Sequence, residues 1–106
     1  GFTAQCTGSL IVDDGAVQAV VSQNRSLLPI GIREVIGSFE KGDTVSIQNK
    51  DHVEIARGQT NYASKDIQQI RGLKSSSIEE RLGHCPYETV VHRDNLVLSP
   101  THVLPS

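Results

Sequence analysis

Four groups of residues in this 106-residue chain have types and spacings that could do chemistry. The first is Val12-Asp13-Asp14-Gly15-Ala16. Two neighbouring carboxylates beside a helix start could hold a metal ion or frame a phosphate. The same residues serve equally to cap a helix and make a tight turn, which is the reading favoured for them. The second group is His84-Cys85 with His92, which suggests zinc. Structural zinc takes four closely spaced Cys or His ligands, and only Cys6, far away in sequence, could complete the set. The third reads Cys85, His92 and Asp94 as a hydrolase triad. Nothing beside Cys85 sets an oxyanion hole or a nucleophile turn. The fourth is His92-Arg93-Asp94-Asn95, which looks like the catalytic loop of protein kinases. There the Asn must follow the Asp after four intervening residues, whereas Asn95 follows Asp94 directly. The segment is read as a turn. None of the four groups supports a stand-alone enzyme.

The elements that must position these residues are short. Residues 8–13 alternate, with Leu10 and Val12 on one face and Ile11 on the other, and predict the first strand. A helix follows from about Gly15 to Gln23, capped by Asp13 and Asp14, with Ala16, Val17, Ala19, Val20 and Val21 as its apolar surface. Asn24-Arg25-Ser26 ends it. Residues 26–29 run out in extended form, since Pro29 biases Leu28 away from helix. Gly31 lets another backbone or a ligand come close.

Residues 32–39 predict the second strand, with Ile32, Glu34 and Ile36 sharing one face. Residues 39–43 are a turn in which Gly42 supplies a positive φ. Residues 44–48 and 53–57 form a hairpin, with Val45, Ile47, Val53 and Ile55 inward and Glu54 outward. Gly58 marks a bulge or bend, and residues 60–63 look extended. Two short helices follow. Ser64 caps the first, Ile67 and Ile70 face the core, and Gly72 stops it. Ser76 with Glu79, or Ser77 with Glu80, has capping-box spacing for the second. Ile78 and Leu82 are its stripe, and Gly83 its stop. Residues 88–92 and 96–98 are the last extended pieces. The order predicts a mainly β protein, a small barrel of short antiparallel or mixed strands with helices on its rim.

Composition narrows the function. The chain is one domain, and its core must be Val, Ile and Leu because it has two Phe, two Tyr and no Trp. The net charge is −2, from ten basic and twelve acidic residues, with no two basic residues adjacent. That weighs against strong non-specific nucleic-acid binding, which needs clustered Lys and Arg. No run approaches a membrane span, and no signal peptide is visible. The two scattered cysteines fit a reducing cytosol, so a cytoplasmic location is expected.

Several blocks, in order, resemble one family. They are VDDGA at 12–16, SLLPIGI at 26–32, GSFEKGDTVSI at 37–47, IARGQTNYAS at 55–64, SSIEERLG at 76–83 and VVHRDNLVL at 90–98. Together they are similar to the PUA domain at the carboxyl end of bacterial glutamate 5-kinases. The GxFxxGDxV turn is shared broadly among PUA domains, and the SLLPxGI and HRDNLVL blocks are more particular to these kinases.

The resemblance implies a PUA-like pseudo-barrel over residues 8–98. Residues 1–7 would be a linker from a preceding kinase domain, and 99–106 a tail. It implies a non-catalytic module, regulatory or for assembly, of an enzyme that phosphorylates the γ-carboxylate of glutamate in the first step of proline synthesis. ATP, magnesium and the inhibitor proline would belong to the kinase domain. No Gly-rich phosphate loop is present here, and no cofactor is expected in this chain. The expected partners are that kinase domain and further copies of the parent, with no membrane.

RNA-binding PUA domains imply an alternative function. Their groove corresponds here to residues 15–23, 26–32 and 91–98. The candidate ligand or RNA residues are Asp14, Gly15, Ala16, Arg25, Leu28, Pro29, Gly31 and Arg93. Two cations, Arg25 and Arg93, would face three carboxylates, Asp13, Asp14 and Asp94, so only weak RNA binding is expected.

Overall fold

The computed structural model describes residues 6–99. Five strands make one mixed sheet: β1 (Gly8–Val12), β2 (Ile32–Gly37), β3 (Thr44–Gln48), β4 (Glu54–Gln59) and β5 (Leu96–Leu98), in the order β2-β1-β3-β4-β5. β1 and β3 are parallel and the other neighbours antiparallel. This is the mainly β, mixed-strand pseudo-barrel that the element order predicts. No helix among the described residues is long and apolar enough to cross a membrane.

Two β-bulges change which residues face inward. Between β1 and β2 the pairing passes from Ile11↔Glu34 to Val12↔Ile32, so Arg33 is the extra residue. The alternation expected for residues 32–36 is thereby reset. Ile32 and Val35 are buried, while Ile36 is exposed. Between β3 and β4 the register passes from Ile47↔Ala56 to Gln48↔Glu54, leaving Ile55 extra. Ile55 and Ala56 are both buried, whereas Val53, expected inward, is exposed. An extra residue shifts every later side chain to the opposite face, and composition does not reveal where it will fall. Gly58 is not the bulge. It lies in regular pairing with Val45 and Leu96, at a point where a Cβ would meet Val91 Cγ1 at 2.6 Å and the Asn95 carbonyl oxygen at 2.8 Å.

The core joins both layers. Leu10, Val12, Val45 and Ile47 of the sheet pack with Val20, Leu27, Ile67, Ile70, Ile78, Val90 and Val91. Complete burial of an aliphatic side chain such as Ile67 contributes roughly 1.5–3 kcal/mol. The first helix is α-helical over α1 (Asp14–Val17) and continues as a π-helical turn over Gln18–Ser22. Asn24, at φ +53°, ends the run.

The two later helices are α2 (Ser64–Ile70) and α3 (Ile78–Leu82). Ser64 is the first residue of α2 rather than its cap, and its hydroxyl is engaged with Phe39. No capping box closes α3. A 3₁₀ turn at Ser75–Ser77 leads into it, and Ser75 Oγ donates to the Glu88 carbonyl. The tight turn before β3 contains Gly42 at φ +93°, as its sequence requires. Residues 60–63 are not strand, with a bend at Asn61 and Tyr62, and Asn61 N–H donates to the Val90 carbonyl at 2.7 Å.

Candidate functional site

A groove of about 900 Å³ opens where three segments meet. The first wall is the helix capped by Asp13. Asp13 Oδ1 accepts from Ala16 N–H at 2.8 Å, and this cap aims the helix away from the end of β1. Ala16, Ala19 and Gln23 then face the groove, with the π-helical turn carrying the last two round to it. The second wall is residues 26–31, which end in a 3₁₀ turn at Pro29–Gly31. That turn is tied to the helix start by Asp13 N–H donating to the Gly31 carbonyl at 3.0 Å. Gly31 is required here, because a Cβ would stand 2.6 Å from Ala16 Cβ. The third wall is residues 89–93. Leu27 bridges Val91 through mutual backbone bonds, and Arg93 N–H donates to Ser26 Oγ at 2.8 Å.

Six of the eight candidate residues line this groove: Gly15, Ala16, Arg25, Leu28, Gly31 and Arg93. Two do not. Asp14 points along the surface to Lys50 Nζ, 3.6 Å away. Pro29 is buried in the 3₁₀ turn, where its carbonyl accepts from Gly72 N–H at 2.8 Å. Residues 96–98, expected at the groove, form β5 instead. Ala19, Gln23, Ser26, Ile30 and His92 fall within the segments expected at the groove, and Asp13 was expected beside them, though none was singled out; Thr89 lay outside every expected segment. Ala16, Ala19 and Gln23 have the i, i+3, i+7 spacing of one helix face, a signal that was available. Thr89 arrives through the long-range Leu27–Val91 bridge, which leaves no local signal.

The charge of the groove differs from the sequence count. Arg25 and Arg93 line it as expected, but Asp13 is the one carboxylate beside them, and its Oδ1 is occupied by the cap. Asp94 lies outside, 3.5 Å from His92 Nδ1. The outcome is a shallow concavity with two guanidinium groups, one imidazole, a Gly–Ala floor and two exposed aliphatic side chains, Leu28 and Ile30. Such a surface can hold an anionic group beside an apolar one. It has no assembled acid, base and nucleophile. His84, Cys85, His92 and Cys6 do not come together, and among the described residues no group of three or more His, Cys, Asp or Glu is placed to hold a metal ion. Cys85 Sγ instead approaches the Tyr87 carbonyl at 3.4 Å.

A small mixed sheet with a capped helix and a proline turn forming a groove at one end defines a class of β-domain. A model of the PUA domain family matches residues 8–82, and the chain belongs to that family. Among curated proteins it is 50% identical over 93 residues to the glutamate 5-kinase of Trichormus variabilis, covering 88% of this chain and 25% of that protein. It is 47% identical over 98 residues to the glutamate 5-kinase of Dictyoglomus turgidum, covering 92% and 26%. The chain therefore spans about a quarter of the length of the curated relatives it matches.

Among solved structures, a PUA domain from Aeropyrum pernix, crystallised as a tartrate complex, superposes with a TM-score of 0.60 at 22% identity, covering 81% of this chain and 41% of that one. A chain of the archaeal box H/ACA sRNP Nop10-Cbf5 complex superposes with a TM-score of 0.56 at 16% identity, covering 88% and 23%. At such identities the likeness is one of fold.

Proposed function

We propose that this chain is a non-catalytic PUA module of a glutamate 5-kinase, with a role in regulation or assembly of that enzyme. One observation carries the proposal: identity of 41–50% to glutamate 5-kinases runs over about nine tenths of the chain but only about a quarter of those proteins. The groove adds support, because it offers binding groups and no reacting ones. In this reading the parent, a cytoplasmic enzyme, uses ATP and magnesium in a separate kinase domain to phosphorylate the γ-carboxylate of L-glutamate, the opening step of proline synthesis.

The test compares the full-length parent with a form lacking residues 8–99. Glutamate-dependent ATP turnover, its inhibition by proline, and the mass in solution are measured for both. Turnover by both, with inhibition or mass altered by the deletion, is the expected result. Identical inhibition and mass would remove the regulatory and assembly role. Formation of γ-glutamyl phosphate by the 106-residue chain alone would overturn its non-catalytic character.

RNA binding is the second reading, and the groove's charge favours it more than the sequence count did. Two arginines line it beside one carboxylate, Asp13, while Asp14 has turned to Lys50. Even so, two cations release few counterions, so generic tRNA should bind no tighter than the roughly 10⁻⁴–10⁻⁶ M of non-specific contacts at physiological salt. Submicromolar binding in a salt titration, lost in Arg25→Ala plus Arg93→Ala, would put RNA first.

A further inference from the structure

Among the described residues, His92 is the imidazole that lines the groove. A single nitrogen of its ring faces two groups with opposite demands. Nδ1 accepts from Asp94 N–H at 3.1 Å and so caps the 3₁₀ turn Arg93–Asn95. The carboxylate of the same Asp94 stands 3.5 Å from the same atom. The N–H needs a lone pair on Nδ1, which selects the neutral ring with its proton on Nε2. The carboxylate favours a proton on Nδ1, which makes the imidazolium. Each state of the ring has a partner already in place. Protonation trades a backbone hydrogen bond for an ion pair.

The turn is held at other points as well. Asn95 N–H donates to the His92 carbonyl at 2.8 Å, and Arg93 N–H donates to Ser26 Oγ at 2.8 Å. Just before the turn, Leu27 and Val91 exchange backbone bonds. None of these uses the ring, so protonation adds charge without taking Arg93 from the groove.

The charged neighbours of the ring come from three places. Arg25 follows the helix and Asp13 caps it, while Arg93 and Asp94 belong to the turn itself. Residues 26–31, the remaining wall, carry no titratable side chain. With a neutral ring these two cations and two carboxylates balance. With the imidazolium the balance turns positive, which attracts an anion held in the groove.

We propose that an oxyanion binds this groove together with a proton, which comes from solvent and adds to His92 Nδ1. The proposal rests on reading the groove as an anion site. Imidazole ordinarily changes charge between about pH 5 and 8, so affinity rises as pH falls through that range. The coupling is reciprocal. The bound anion keeps the ring protonated to higher pH, and the protonated ring holds the anion more tightly. The shared ligand chemistry is that of sulfate or phosphate oxygens, in a free ion or in a phosphodiester backbone.

The test titrates the 106-residue chain with sulfate, which keeps its charge over this range, at constant ionic strength set with chloride. Nuclear magnetic resonance reads both binding and the state of each histidine ring. The expected result is a dissociation constant about threefold or more lower at about pH 5.5 than at about pH 8. His92 should titrate at higher pH when sulfate is present, whereas His52 and His84, exposed and outside the groove, should not. At high pH the nitrogen spectrum should show the His92 proton on Nε2. A neutral ring with its proton on Nδ1 would overturn the proposal.

His92→Asn supplies a cap oxygen that does not titrate, and its ratio of affinities at the two pH values should fall to about one. A ratio equal to wild type would overturn the proton linkage. The same pH dependence with hexauridylate extends the linkage to a phosphodiester backbone. Sulfate binding that is lost in Arg25→Ala plus Arg93→Ala, yet does not vary with pH in wild type, overturns the linkage alone. Sulfate binding that survives this double substitution, or is absent at every pH, overturns the anion site and the linkage together.

Discussion

The two outer edges of the sheet are finished in different ways. Along β2, helix α2 and Arg71, the residue that ends it, supply side chains to the edge carbonyls. Arg71 Nη1 donates to the Arg33 carbonyl at 2.8 Å, and Gln68 Nε2 donates to the Val35 carbonyl at 3.5 Å. Along β5 no further strand or helix side chain does this among the described residues, and Val97 stands exposed. An open edge is a template for another chain, and proteins usually cover, charge or shorten it. Here one edge is covered by the domain's own helix. The other is only shortened, to three residues. Edge protection in this molecule is therefore local where the domain is self-contained. Along β5 it rests on the shortness of the strand.

The largest expected effect breaks the covered edge from beneath. Ile67 is fully buried under α2, and Ile67→Ala should cost about 2–5 kcal/mol. Thermal or urea unfolding measures the loss, and hydrogen exchange should show the β2 amides opening with it. A loss too small to measure would mean that α2 does not seat on that edge through Ile67.

Next come two glycines, one on each side of the molecule. Gly31→Val forces a side chain against Ala16, and Gly58→Ala forces one against Val91 and the Asn95 carbonyl. Each should lower stability by about 1–3 kcal/mol. Similar urea midpoints for the two variants would show that the open side is packed inside as tightly as the covered one. A wild-type midpoint for either would remove the close approach described there.

Arg71→Ala is expected to cost about 0.5–1.5 kcal/mol, because it removes a hydrogen bond from an exposed side chain. Its sharper consequence is association, since the Arg33 carbonyl is freed. Mass against concentration by light scattering should rise for Arg71→Ala more than for wild type. An unchanged mass would mean that α2 shields the edge by bulk alone.

A smaller effect depends on pH and belongs to the open side. Burial opposes the charge on Glu54, but hydrogen bonds from Ser99, Ser46 and Arg57 outweigh it and hold the carboxyl below its ordinary range. A group with a depressed folded-state pKa stabilises the fold above its unfolded pKa. That contribution is lost as pH falls through the unfolded value towards the folded one. Wild-type stability should therefore decline below about pH 4.3 more steeply than that of Glu54→Gln. Parallel pH curves would show that the network does not depend on this charge.

The least change is expected from Val97→Thr in the 106-residue chain, within about ±0.5 kcal/mol, because the side chain is mostly exposed there. A loss above that range in chemical denaturation would mean that the chain itself already covers Val97.

Features that depend on a few adjacent residues were legible in the sequence. The order of strands and helices, the inward pair Ile67 and Ile70, the positive φ at Gly42 and the need for glycine at 31 all follow from local rules of periodicity and turn chemistry. Six groove residues were likewise reachable, because they sit in the helix start, the proline turn and the last turn that the sequence blocks mark out.

Pairing between distant segments decided the rest. The bulges at Arg33 and Ile55 set which side chains face in, and a bulge exists only relative to a partner strand. Asp14 was drawn to Lys50, which took one carboxylate away from the groove. Thr89 joined it because Val91 bridges Leu27. Backbone conformation is governed by neighbours in the chain. Register, and the meeting of Asp14 with Lys50, are governed by neighbours in space that lie tens of residues apart in the chain.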